Sequence, residues 1–460
     1  MRGRRGSVSL VGGLAAVLCA LLVALALPAL AGAATWSVQV TPAPNDGQTT
    51  SNGAFSGISC PTGSTTCVAV GNTFDFPTPE ALAELSVSGG WSLLSPALAN
   101  PVGTPMSSVS CASTTMCMAA GDAAIGLTWP YAEEWNGTTW FPSLAAFPSD
   151  ILIGSFTSVS CPTTTSCLAV GWYLNTKGVL EPLVNAWGPP GWADEAVTPP
   201  SGAAASLLSG VSCQSTTCVA VGTEVTSTGA VEPFSETATS TGSVTQTTPA
   251  TSGAASLLFG VSCSSSTACT GVGTSVSTTG TLSPLAERFN GRTWTTESTP
   301  APTGSTGSAL LGVSCPGSTS CAAVGGSIGS TNVDTLAESW NGTAWSDSAT
   351  PNPSGELVSE LGAISCPSTT SCTAAGESIN SSGSSTALAE GLSAGGATVF
   401  SARLSDPLAG MASVSRRTLS LSLPFPFGAL RSSHGTTAAA IRRTVLATVR
   451  ARARAARRGS

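Results

Sequence analysis

An all-β fold built from seven copies of one unit is what this sequence predicts, and three observations carry the prediction. First, a short cysteine-containing run occurs seven times: GISCPTGSTTCVAVG, SVSCASTTMCMAAG, SVSCPTTTSCLAVG, GVSCQSTTCVAVG, GVSCSSSTACTGVG, GVSCPGSTSCAAVG and AISCPSTTSCTAAG. Its first cysteines stand at 60, 111, 161, 213, 263, 315 and 366, a period of 50 to 52 residues. Repeats of that length are the mark of propeller blades and kelch-like units. Second, charged residues make up only 9% of the chain and hydrophobic ones 42%, alongside 51 glycines and abundant Ser and Thr. That composition suits short strands joined by turns and argues against an ordinary disordered polymer. Third, a tryptophan recurs at one place in most copies, after a turn sequence.

A full unit can be read from residues 310 to 353, and each element follows from its residues. LLGVSC and CAAVGG are β-prone segments around a Pro-Gly-Ser-Thr turn, a hairpin signature for strands a and b. After the loop SIGSTNVD comes TLAESW as strand c, then Asn-Gly, then TAWSDS as strand d. Asn-Gly is a strong signal for a two-residue hairpin turn, and it recurs as Asn136-Gly137 and Asn290-Gly291. Strand d opens with Trp91, Trp140, Trp192, Trp294 and Trp345, and Val244 is the residue expected there in the fourth unit. The repeats begin out of phase: TWSVQVTPAP is a d-type strand with no a, b or c before it. At the other end ALAEGLSAGGATVFSARL supplies strand c and only a degenerate d, with Val399 where Trp is expected. A circular fold accounts for both ends, because the Trp36 strand then completes the seventh unit and leaves no free sheet edge. The expectation is a seven-bladed β-propeller of four-stranded blades spanning residues 34–400, closed by its N-terminal strand.

Fifteen cysteines less Cys19 leave two per unit. The pairs are Cys60/Cys67, Cys111/Cys117, Cys161/Cys167, Cys213/Cys218, Cys263/Cys269, Cys315/Cys321 and Cys366/Cys372. In an exported chain such pairs mean disulfides, and opposed residues of a hairpin stand near bridging distance. They read as staples of the a–b hairpin. Zinc is disfavoured by the spacing and by the presence of a single histidine, His434, far from the repeats. No metal and no cofactor is expected.

The order SC, turn, C-x-A-V-G, loop, W-N-G-x-x-W resembles the repeats of secreted bacterial β-propellers. It is similar in layout to sialidase-type and photosystem-assembly-factor-like repeats, over about residues 36 to 400. The resemblance implies the propeller fold. It does not extend to sialidase activity, because the S-x-D-x-G-x-x-W Asp box is absent.

The two ends read differently. MRGRRG, an apolar run and Ala31-Gly32-Ala33 form an export signal over residues 1–33. The protein is therefore expected to be secreted or at the cell surface, with no transmembrane span once the signal is cleaved. Between Ala34 and Phe400 only Lys177, Arg288 and Arg292 are basic, against 23 carboxylates, a net charge of −20. Such a body is a poor partner for nucleic acid. Residues 401–460 carry 11 arginines and one acid, and read as a basic tail, disordered or partly helical.

Candidate chemistry is sparse. A glutamate in or near strand c of every unit (Glu84, Glu134, Glu181, Glu232, Glu287, Glu338, Glu390) suggests paired carboxylates for glycoside hydrolysis. A residue repeated in all units more readily obeys a structural rule. Gly271-Val272-Gly273 reads as a turn after a strand, not as a nucleotide loop. One asymmetry stands out. The b–c loops of units 4 to 7 hold no aromatic residue, whereas those of units 1 to 3 read GNTFDFPTPE, GDAAIGLTWPYAE and GWYLNTKGVL. Phe74, Asp75, Phe76, Trp129, Tyr131, Trp172 and Tyr173 are thus the candidate ligand contacts, with Asp122, Asn175 and Lys177 nearby, and inter-blade packing is the competing role for their rings. The functional expectation is a monomeric, non-catalytic recognition or surface-scaffold protein that binds an extracellular glycan or protein. The alternative is a propeller glycoside hydrolase or lyase.

Overall fold

The computed structural model describes residues 32–42, 53–73, 80–94, 104–125, 127–239 and 242–395. Residues 1–31, Val399 and the tail 401–460 lie outside the described residues. Among the described residues there is no helix, hence none long and apolar enough to cross a membrane, and the 28 strands fall into antiparallel units of four. In unit 6, strand a (Gly307–Gly317), strand b (Ser320–Ile328), strand c (Val333–Trp340) and strand d (Trp345–Ser348) pair in that order. Units 1 to 5 repeat this arrangement. Unit 7 takes strands a (Glu356–Ser368), b (Ser371–Asn380) and c (Ser385–Gly395) from one end of the repeat region. Its fourth strand, Gly32–Gln39, comes from the other, pairing antiparallel with strand c through Trp36 opposite Leu392. Strand a of every unit packs beside strand a of the next, and strand a of unit 1 (Gly53–Ser59) packs beside that of unit 7. The ring is closed, and the chain is an all-β propeller.

The recurring residues explain how the ring is held. All seven cysteine pairs are disulfides, each joining strands a and b across their turn with Cα atoms 3.9–4.1 Å apart. The serine before the first cysteine works between units. Ser59, Ser110, Ser160, Ser212, Ser262, Ser314 and Ser365 each accept, through Oγ, the N–H of the first cysteine in the next unit at 2.9–3.0 Å. Seven such bonds run round the inner ring and return to their start. The Ser-Cys dipeptide therefore combines a staple within a unit and a link between units.

The second cysteine of each pair is a staple, as expected, and is also a packing residue. It follows a Ser/Thr-rich turn whose residues are largely exposed. Cys67, Cys117, Cys167, Cys269, Cys321 and Cys372 are instead 0–5% exposed, and each belongs to an apolar cluster between units. The cause is the pleat of strand b, which turns alternate side chains toward the neighbouring unit. These sulfurs are core atoms as well as crosslinks, and none of the six is a surface group open to a ligand. Cys218 of unit 4 differs, being only half-buried.

The glycine of A-V-G has an equally local cause. Strand a of each unit carries a bulge at an equivalent position, between Leu310 and Gly312 in unit 6. The bulge drives the strand a carbonyl toward strand b, so that a Cβ on Gly325 would overlap the carbonyl oxygen of Ala309. Gly273 faces the Leu257 carbonyl in the same way. Gly271-Val272-Gly273 is accordingly not a turn but the middle of a strand, Ala268–Val276. The Asn-Gly turns form as expected: Gly137, Gly291 and Gly342 take φ of 96°, 90° and 97°. The preceding asparagine Oδ1 accepts two backbone N–H groups in each.

Each junction between neighbouring units encloses an apolar cluster. In six of the seven the strand d tryptophan of the later unit belongs to or packs on that cluster: Trp36, Trp91, Trp140, Trp192, Trp294 or Trp345. Most of these rings meet a second aromatic ring, as in Trp135–Trp140, Phe289–Trp294 and Trp340–Trp345, with centroids 5.2–5.8 Å apart. Unit 4 is the exception. Its strand d (Gly242–Thr247) pairs so that Ser243 lies opposite Ala238, the register at which Trp294 lies opposite Phe289. Ser243, not Val244, therefore holds the tryptophan position, and Val244 is 58% exposed. Without an aromatic ring to mark the register, the sequence pattern points to the nearest apolar residue instead.

Candidate functional site

The strand c acids occupy one structural position, though not the one expected in every unit. Opposite the central small residue of strand b stand Glu84, Glu133, Asn185, Glu236, Glu287, Glu338 and Glu390. Glu134 is one residue further on, facing Met118. Glu181 and Glu232 stand four residues earlier, opposite Tyr173 and Glu224. The displacement arises because unit 4 carries a second acid near the start of strand c, unit 3 carries its only strand c acid there, and unit 2 has two adjacent acids. An asparagine fills the true position in unit 3.

These side chains are buried, with Glu84, Glu287 and Glu390 at 0% exposure and Glu338 at 1%. Removal from water favours the neutral acid, and burial pushes Glu84, Glu287, Glu338 and Glu390 up to about 8. Thr248 beside Glu287 and Thr335 beside Glu390 offset part of the rise. Glu133 is raised to about 7 by burial, opposed by the hydroxyl of Tyr131, which donates to its Oε1 at 2.9 Å. The unit 3 equivalent shows where such a side chain reaches: Asn185 Oδ1 accepts the N–H of Ala146, in the connector of the preceding unit, at 3.1 Å. Like Asn185, the glutamates at this position are enclosed between blades and removed from solvent.

The aromatic candidates separate into three groups. Phe74, Asp75 and Phe76 lie outside the described residues. Tyr131 and Trp172 are buried, at 6% and 4% exposure, and both belong to apolar clusters. Trp129 and Tyr173 are half-buried. Trp129, in strand c of unit 2 (Leu127–Trp135), meets the ring of Phe147 at 5.4 Å. Tyr173, in strand b of unit 3 (Ser166–Asn175), donates from Oη to Glu181 Oε2 at 2.6 Å. Asn175 Nδ2 donates to the other oxygen of Glu181 at 2.8 Å, while its Oδ1 accepts the N–H groups of Lys177 and Val179. The b–c turn of unit 3 is thereby held rigid beneath the tyrosine. Asp122 accepts from Ser155 Oγ at 2.9 Å, and burial raises it to about 6 against that bond.

One feature of this sector was not read from the sequence. Eleven large apolar residues are exposed among the described residues, and five of them, Leu127, Phe141, Leu144, Phe147 and Leu152, fall between positions 127 and 152. Leu127, Phe147 and Leu152 lie at the same end of the blades as the b–c loops, where Phe147 meets Trp129. Their signal in the sequence is FPSLAAFPSDILIG, a d–a connector more apolar than its counterparts.

A disulfide-stapled all-β propeller with an apolar, aromatic sector on units 2 and 3 is the class of protein these observations define. No family model matches the chain, and no curated protein matches it either. Solved structures do. A YCF48 structure bound to D1 peptide is 15% identical with a TM-score of 0.47, covering 79% of this chain and 98% of that one. The β-propeller domain of the Trilobed protease from Pyrococcus furiosus is 6% identical with a TM-score of 0.45, covering 75% and 94%. Hadza microbial sialidase Hz136 is 8% identical with a TM-score of 0.44, covering 75% and 66%.

Proposed function

We propose that the protein is an extracellular, non-catalytic recognition propeller whose ligand face is the b–c end of units 2 and 3. The observation that carries this reading is the contact of Trp129 with exposed Phe147, at the blade end that also carries exposed Leu127 and Leu152. Tyr173, half-buried at the same end, packs on the apolar cluster between units 2 and 3. Symmetry is broken there by large rings on a fold that elsewhere repeats small polar residues. Aromatic faces with a polar edge stack on sugar rings or on apolar peptide side chains, and contiguous exposed apolar surface marks binding sites. The seven disulfides and the export-type N-terminal sequence support an oxidising, extracellular setting. The burial of the strand c glutamates weighs against the glycosidase alternative, since those carboxyls are enclosed between units. The test is glycan and peptide array binding by the wild type and by a Trp129→Ala/Tyr173→Ala variant. Binding that is lost in the variant supports the reading, and binding that is unchanged removes it.

A further inference from the structure

Unit 4 departs from its neighbours in several ways at one place. The tryptophan position is Ser243 and the facing ring position is Ala238. The disulfide turn is also the shortest of the seven, with Cys213 and Cys218 only five positions apart. The apolar cluster at the junction of units 3 and 4 consequently has no tryptophan from unit 4, and ends on Ala186, Val197 and Ala238. The result is a cavity of about 430 Å³, beside the disulfide turns and so at the opposite end of the blades from the aromatic sector. Its wall is Leu168, Val170, Val184 and Val197, with Ala238 and Ser243 at the vacated ring positions. Pockets of this volume hold small molecules.

The polar groups of the cavity specify what would fill it. In unit 1, Trp91 Nε1 donates to Gln39 Oε1 of the preceding unit at 2.7 Å, and in unit 3 Trp192 Nε1 donates to Ser143 Oγ of the preceding unit at 2.9 Å. Gln39 and Ser143 share one register position, opposite the residue before the strand c acid. At that position unit 3 carries Glu195, whose N–H bonds the Val184 carbonyl, and Glu195 lines the cavity. Glu236 also lines it and is 98% buried; Oε2 accepts from Thr245 Oγ1 at 2.6 Å, but Oε1 has no hydrogen-bond partner. No Lys or Arg is among the lining residues.

We infer that the junction of units 3 and 4 is a binding site for a small aromatic amine of indole size, its ring in the vacated tryptophan position and its N–H or ammonium group on Glu195 and Glu236. The two carboxyls select a cationic or neutral N–H donor over an anion. This site is independent of the face proposed above.

The probes are tryptamine, indole and indole-3-acetate, titrated calorimetrically into the full mature protein. The expected result is one saturable site for tryptamine, with indole weaker and indole-3-acetate weaker by at least roughly tenfold, a factor equal to about 1.4 kcal/mol. Filling the cavity with Ala238→Phe and Ser243→Trp, which copies the Phe289–Trp294 pair, should abolish binding. Glu195→Gln, at an exposed position, should bring tryptamine down towards indole. Absence of saturable tryptamine binding would overturn the inference, as would undiminished affinity in a correctly folded filled variant. So would an indole-3-acetate affinity equal to that of tryptamine, or a Glu195→Gln protein with unchanged preference.

Discussion

Replacing Glu84 by Gln should remove one proton's worth of pH dependence from the stability of the fold. The Glu84 carboxyl is fully buried, with neither oxygen meeting a hydrogen-bond donor, and burial raises it from 4.5 to about 8. A group raised on folding holds its proton in the native state while the unfolded chain has released it. Its stabilising contribution is therefore complete below about pH 4.5 and is lost as the pH rises through about 8. Between these limits one such proton tilts stability by about 1.4 kcal/mol per pH unit. Gln keeps the shape and cannot titrate, so any constant cost of the amide cancels from the slope. Denaturant unfolding of wild type and Glu84→Gln, disulfides intact, at half-unit steps from pH 5.5 to 7.5 reads the difference directly. The stability of wild type relative to the variant should fall by about 3 kcal/mol over that range. Parallel curves would refute the reasoning, since they would mean that Glu84 is ionised and solvated or paired in the native protein. A difference of the opposite sign would mean a carboxylate stabilised by a donor.

Further expectations concern the ring. Trp36→Ala removes a buried ring from the strand that closes unit 7, and should cost about 3–5 kcal/mol in denaturant unfolding. Gly325→Ala forces a Cβ onto the Ala309 carbonyl and should destabilise by about 2 kcal/mol or more. Ser160→Ala deletes one inter-unit acceptor for the Cys213 N–H, and should cost about 1 kcal/mol in the same assay. Intact mass after alkylation should show no additions before reduction and additions at both cysteines of every pair afterwards. Each opened bridge should lower stability by about 2 kcal/mol, since short disulfide loops restrict the unfolded chain by about that much.

The fold was legible because its determinants are local and repeated. A cysteine pair across a hairpin, an Asn-Gly turn and a lone d-type strand at the N-terminus each constrain structure within a few residues, and their phase gives the closure. Even the A-V-G glycine could be noticed, although its reason, a bulge in the facing strand, becomes visible only with both strands placed. What was not legible depended on register. A one-residue shift decides which face a strand residue occupies, so neighbouring acids such as Glu133 and Glu134 cannot be told apart by spacing, nor Ser243 from Val244. For the same reason the cysteine pattern predicts the bridges but not the burial of Cys117 or Cys269, which depends on the neighbouring unit. The limit applied to the rings as well: the segments around Tyr131 and Trp172 read as b–c loops in the sequence, yet strand pairing extends through them and carries both side chains into apolar clusters.

The departures from symmetry are consequently the informative residues, and they fall into two kinds with different consequences. Of the side chains added on units 2 and 3, Tyr131 and Trp172 serve the packing of the ring, whereas Leu127, Phe147 and Leu152 enlarge the exposed apolar surface, which costs solubility. Rings removed from unit 4 leave a junction underfilled, and a lost buried tryptophan ordinarily costs several kcal/mol. The unit 4 junction retains its disulfide, its Ser160–Cys213 link and Phe234 in its cluster, while the ring is closed elsewhere by six tryptophan-filled junctions. A closed ring distributes that weakness, so one junction can be left open without opening the propeller. That tolerance is the physical condition under which a gap between blades can serve as a ligand site.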